Sequence, residues 1–183
     1  MTSTYANLTL LGPAHADVVA LLKQLGTVAY VSPTHRRATV VFHEDWASQE
    51  PVAVEVSRRL ACPALLVMAF AGRVLLYQLY EGGARTDEYV SEPHEDLTHD
   101  PPPGDPQRLA DAFDKPAAAR RVETILRKLA KPGHPYEQAA NRHGDLCSAL
   151  GLPTFAVGAG FGLIEMGELP GGEGFDAASM ART

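Results

Sequence analysis

Two largely apolar runs follow each other closely: Ala64 to Phe70, then Arg73 to Tyr80, joined by Ala71-Gly72. Runs this short, without polar alternation, read as strands buried on both faces rather than as helices, and the two-residue connection makes them antiparallel neighbours. A sheet buried on both faces needs a layer of structure on each side. Along the second run Val74, Leu76, Gln78 and Tyr80 share one face, and Leu75, Tyr77 and Leu79 the other. We therefore expect one face under the first helices of the chain and the other under its C-terminal helices.

The remaining elements fit this demand. Tyr5 to Leu11 reads as a strand closed by Gly12-Pro13, and Val18, Leu21, Leu22 and Leu25 form the stripe of a helix that Gly26 stops. Val28 to Ser32 and Ala38 to His43 read as a hairpin around Pro33, Thr34, His35 and Arg36. Val52, Val56 and Leu60, with Pro51 following Ser48, favour a helix over the strand that the alternation of Val52, Val54 and Val56 would suggest. Arg85 to Val90 adds a strand after Gly82-Gly83. The fold class is thus α+β: an antiparallel sheet in the ferredoxin-like β-α-β-β-α-β order, with an appended β-hairpin and C-terminal helices.

Ser91 to Pro106 is rich in Pro, Asp, Glu and His, and reads as a surface linker. Beyond it, Val122, Ile125, Leu126 and Leu129 predict a helix between Pro116 and Pro132-Gly133. A second helix runs from about Pro135 to Leu150, with Ala139, His143, Leu146, Cys147 and Leu150 on one stripe. One domain is expected over 1–170, divided into a sheet-rich part (1–90), an acidic Pro-rich loop (91–106) and a helical part (107–170), followed by a flexible tail over 171–183 for which no element is predicted.

The chain has 183 residues, enough for one core, and a net charge of −6, which disfavours nucleic acid and anionic lipid as partners. With only Cys62 and Cys147 there is no disulfide framework, and no window approaches the apolar length of a membrane helix, so a cytoplasmic location away from membranes is expected.

Four groups of residues invite a chemical reading. Gly158, Gly160 and Gly162 suggest a loop that cradles an anion, but Leu163 stands where a dinucleotide fingerprint needs Gly, and the Lys and Ser or Thr of a Walker loop are missing. A tight connection packing Phe161 and Leu163 onto the core is the simpler reading. His94, Asp96 and His99, with Glu95 and Asp100, are of types that suit zinc. A Pro-rich loop holds such ligands poorly, so neither metal nor cofactor is expected. His143 and Cys147 are neighbours on one helical face, where an imidazole can activate a thiol, with Glu165 as a possible carboxylate partner. Packing in the apolar stripe accounts for the same spacing. Tyr77, Tyr80 and Tyr89, with Trp46 and Phe42, are candidates to line a pocket.

By elimination the leading expectation is a non-enzymatic domain that binds a small molecule or a protein, in a groove between the sheet and the C-terminal helices. One alternative is an enzyme whose site is assembled around His143 and Cys147. The other is an assembly protein forming homo-oligomers, in which the acids between Glu81 and Asp105 meet bases such as Arg108, Arg120 and Arg127 on the following helices.

Overall fold

A computed structural model describes residues 4–92, 101–129, 132–168 and 177–183. The strands are β1 (Tyr5–Leu11), β2 (Ala29–Val31), β3 (Ala38–His43), β4 (Ala64–Phe70), β5 (Val74–Glu81), β6 (Ala84–Val90) and β7 (Ala181–Arg182), and the helices are α1 (His15–Gln24), α2 (Gln49–Arg59), α3 (Pro106–Ala112), α4 (Ala119–Arg127), α5 (Ala139–Leu150) and α6 (Phe161–Glu165). The strands form one antiparallel sheet in the order β6-β5-β4-β1-β3-β2-β7. The architecture is α+β, with helices on both faces of the sheet.

Alternation within the strands sorts the side chains between the two layers. Leu8, Leu10, Val41 and Leu66 meet Val18 and Leu22 of α1 and Val56 of α2. On the opposite face, Val67, Leu75, Tyr77 and Leu79 pack against Leu109 and Phe113 from the α3 region, Val122 and Leu126 of α4, and Leu146 and Leu150 of α5. A third cluster joins Val40 and Phe42 of β3 to Phe155, Phe161 and Ile164. Asn7 in mid-β1 is fully buried and ties this last segment down, donating to the carbonyls of Ala156 and Ala159 at 2.8 and 3.0 Å.

Several elements differ from expectation. The end of the expected surface linker packs on the edge of the sheet: Pro103 bridges to Tyr89, and Gly104 lies beneath Tyr77. Asp105 then caps α3, its side chain accepting the N–H groups of Gln107 and Arg108, with Pro106 in the first turn. The helix expected from Pro135 begins instead as a 3-10 turn, Pro135–Glu137, and breaks at the extended Gln138 before α5. The break turns Tyr136 inward beneath the Arg142 guanidinium, 4.6 Å from the ring centroid. Leu129, expected on the buried stripe, is 68% exposed because α4 stops at Arg127. Finally, the tail expected to lack structure ends in β7, which pairs with β2, while the Thr183 hydroxyl accepts the Ala29 N–H at 3.0 Å.

Two turns use left-handed backbone. At Gly104 φ is +68°, and an added Cβ would lie 2.5 Å from the Tyr77 hydroxyl. Gly104→Ala is expected to destabilise the protein by about 2 kcal/mol, from the left-handed backbone together with displacement of Tyr77 from its hydrogen bond. A urea midpoint within error of wild type would overturn that. The β2–β3 hairpin closes through reciprocal 2.8 Å bonds between His35 and Ala38, with Arg36 and Arg37 at φ of +50° and +66°. This is the type I′ geometry that Asn-Gly satisfies best; a left-handed L-residue costs roughly 1–2 kcal/mol.

Candidate functional site

The tyrosines and the His143–Cys147 pair singled out in the sequence lie in the core. Tyr77 and Tyr89 stack with ring centroids 5.4 Å apart, and their hydroxyls donate to Asp87 at 2.7 Å and to the Leu126 carbonyl at 2.9 Å. Tyr80 is buried on the opposite face, its hydroxyl 2.9 Å from the Gln78 side chain and 3.2 Å from Glu50. The groove expected between the sheet and the C-terminal helices is therefore filled by core side chains, and these tyrosines line no opening there. Phe42 is likewise buried. His94, Asp96 and His99 lie outside the described residues, and among the described residues no three His, Cys, Asp or Glu side chains are grouped to hold a metal ion.

His143 and Cys147 are each 2% exposed. The Tyr5 hydroxyl lies 3.0 Å from His143 Nδ1, the position where a catalytic pair would need its orienting carboxylate. Burial pushes the imidazole down to about 4 and holds it neutral. Glu165 sits at the surface instead and pairs with Arg182 at 3.1 Å. The backbone N–H of Gly158, a candidate to face an anion, interacts with the Tyr5 oxygen instead.

Gly160 and Gly162 reach a cleft of about 340 Å³ at one end of the sheet. The start of β1, the end of β3, the turn into α2 and the start of α6 build it, and Tyr5, His43, Trp46, Gln49, Phe161 and Met166 form its walls. Its shape follows from local chemistry. Asp45 ends β3 by accepting the Ala47 N–H at 3.0 Å, which starts the 3-10 turn Trp46–Ser48 and sets Trp46 against the edge of Phe70, centroids 5.3 Å apart. Gly160 lets the α6 segment lie against β1, since an added Cβ would stand 3.3 Å from Tyr5 Cβ.

The cleft carries apolar surface and polar handles together. Trp46 is 39% exposed and Met166 67%, so two large apolar side chains face solvent together in one recess. His43 Nδ1 accepts the Asp45 N–H at 2.8 Å, which leaves the ring proton of a neutral imidazole on Nε2 as a donor. Burial lowers the His43 pKa and favours that neutral form. Gln49 is buried in the wall, its amide 3.4 Å from the His43 carbonyl, and Glu44 adds a carboxylate at the rim. Sequence reading included Trp46 among the aromatic candidates but missed His43, Gln49 and Met166, which come from separate segments and share no spacing. The solitary tryptophan was the available signal.

Fold and cleft together define a sheet protein enclosed by helices, with a small amphipathic recess at one end of its β1/β3 strand pair. Comparison with protein-family models, with curated proteins and with solved structures finds no match to this chain. No helix among the described residues is long and apolar enough to cross a membrane.

Proposed function

We propose that this chain is a binding domain that takes a small, mainly apolar ligand in the cleft beside Trp46. The observation that carries the reading is the exposure of Trp46 and Met166 in one recess, next to the polar groups of His43 and Gln49. Sites for small molecules combine a mostly apolar wall with a few polar groups that fix orientation, in volumes of about 300 Å³ upward. The strand order β4-β1-β3-β2, with α1 and α2 on one face, supports reading the first four strands as a ferredoxin-like core, to which β5, β6 and the later helices are additions. The cleft carries this reading, since a ferredoxin-like fold serves many functions.

The test uses the only tryptophan of the sequence as a reporter inside the site. Native mass spectrometry of the purified protein, beside a denatured sample, should reveal a retained small molecule, and removing it should shift Trp46 emission. If the protein is purified empty, titration with benzamide, an aromatic ring bearing one hydrogen-bonding group, should quench Trp46 saturably. An empty protein with a strictly linear response to benzamide would overturn the proposal.

A further inference from the structure

The opposite end of the β1/β3 pair carries a second recess, of about 310 Å³. It is separated from the first by the length of β1, roughly 20 Å at 3.3 Å per residue. Leu11, Phe113, Leu150 and Leu152 form its apolar floor, while Arg36, Arg37 and Lys115 stand around it with the carboxylate of Asp114. Among the described residues that line the recess, three cations meet one acid, on a chain whose net charge is −6. Arg37 reaches across to Asp114 at 3.1 Å, and both side chains are well exposed. The Lys115 stem lies on Gly151, 3.1 Å from where a Cβ there would stand, which directs it along the wall of the recess.

The backbone gives an independent reason to regard these arginines as functional. Arg36 and Arg37 occupy the two left-handed positions of a type I′ hairpin, which Asn-Gly would fill without strain, and Asp114 is also left-handed at φ +55°. Backbone strain retained at a cluster of charged side chains points from geometry towards a role for the side chains. We infer that this recess binds an organic anion, a phosphate or carboxylate carried on an aromatic or short aliphatic body, with the anion between Arg36, Arg37 and Lys115 and the body on the leucine and phenylalanine floor. Guanidinium forks suit both phosphate and carboxylate oxygens. The site is separate from the cleft at Trp46, and its test does not depend on that reading.

The probe is phenyl phosphate, titrated into the ¹⁵N-labelled full chain, with inorganic phosphate and benzyl alcohol as controls. Phenyl phosphate should shift the amides of Arg36, Arg37, Lys115 and Gly151 saturably, and bind more tightly than either control. Arg36→Asn combined with Arg37→Gly relieves the turn, so the folded protein should melt no lower than wild type while affinity falls at least about tenfold, as expected for losing hydrogen bonds to a charged partner. Asp114→Asn keeps a residue that tolerates the left-handed backbone and removes the opposing charge, so affinity should rise several-fold. Unchanged affinity in the turn variant, or benzyl alcohol shifting the same amides as strongly, overturns the anion site. Inorganic phosphate binding as tightly as phenyl phosphate overturns the role of the apolar floor.

Discussion

Arg142→Ala is expected to cost about 3 kcal/mol of stability and to lower the melting temperature by about 6–12 °C for a chain of this size. Arg142 is 1% exposed, yet it carries a charge. Its guanidinium donates to the carbonyl of Ile125 and, at 2.6 Å, to that of Lys128, and it lies over the Tyr136 ring. Carbonyls in the last turn of a helix have no partner within the helix, and Arg142 supplies one from α5 where α4 ends. Truncation leaves those carbonyls unpaired beside a cavity. Arg142→Met should recover part of the loss by filling the space, but not the part owed to the carbonyls, so urea unfolding should rank wild type above Met and Met above Ala. A loss below about 1 kcal/mol for the alanine variant would mean that Arg142 does not hold α4 to α5.

The second large effect is a dependence of stability on pH through His143. Its folded pKa, about 4, lies below the ordinary 6.5 because the ring is buried. Between those values the unfolded chain binds a proton that the native state refuses, so stability is complete above pH 6.5 and is lost as pH falls towards 4. At about 1.36 kcal/mol per pKa unit, the full effect is about 3 kcal/mol. His43, also lowered by burial, adds in the same direction. His143→Gln keeps a hydrogen-bonding group for the Tyr5 hydroxyl but cannot titrate, so its urea midpoint should fall much less between pH 6.5 and 4.5. An unchanged pH slope in the variant would remove His143 from this account. Asp87 works in the opposite sense: burial raises its pKa against the pull of the Tyr77 hydroxyl and the Asp105 N–H, so this contribution grows as pH falls through the range just above the ordinary carboxylate value.

Both effects involve residues that the sequence placed in the right element without revealing their surroundings. His143 was legible as a member of the α5 stripe, and the structure buries it there. What spacing along one helix does not specify is the partner, and Tyr5 is 138 residues away. Arg142, one position earlier, carries no sign in the sequence that its charge is buried, because a cation in a helix is ordinarily exposed. The capping of α3 was encoded at Asp105-Pro106, but its apolar stripe is only Leu109 and Ala110, too little for periodicity to detect. The Arg36 and Arg37 turn was recognisable as a hairpin, although nothing in those two residue types announces a left-handed backbone.

Local rules therefore determined which segments became strands and helices, and which faces of them were apolar. β4 and β5 required cover on both sides, and the chain supplied it with α1 and α2 on one face and α3 to α5 on the other. Only the tertiary structure decided which positions face an opening. It filled the expected groove with Tyr77 and Tyr89, left Trp46 and Met166 in a cleft, and returned the chain end to the sheet as β7. The physical reason is that secondary structure follows from backbone sterics and the periodic burial of apolar groups, which act over a few residues. A cleft is the space left where segments distant in sequence fail to fill one another's surface, and that depends on the packing of the whole core.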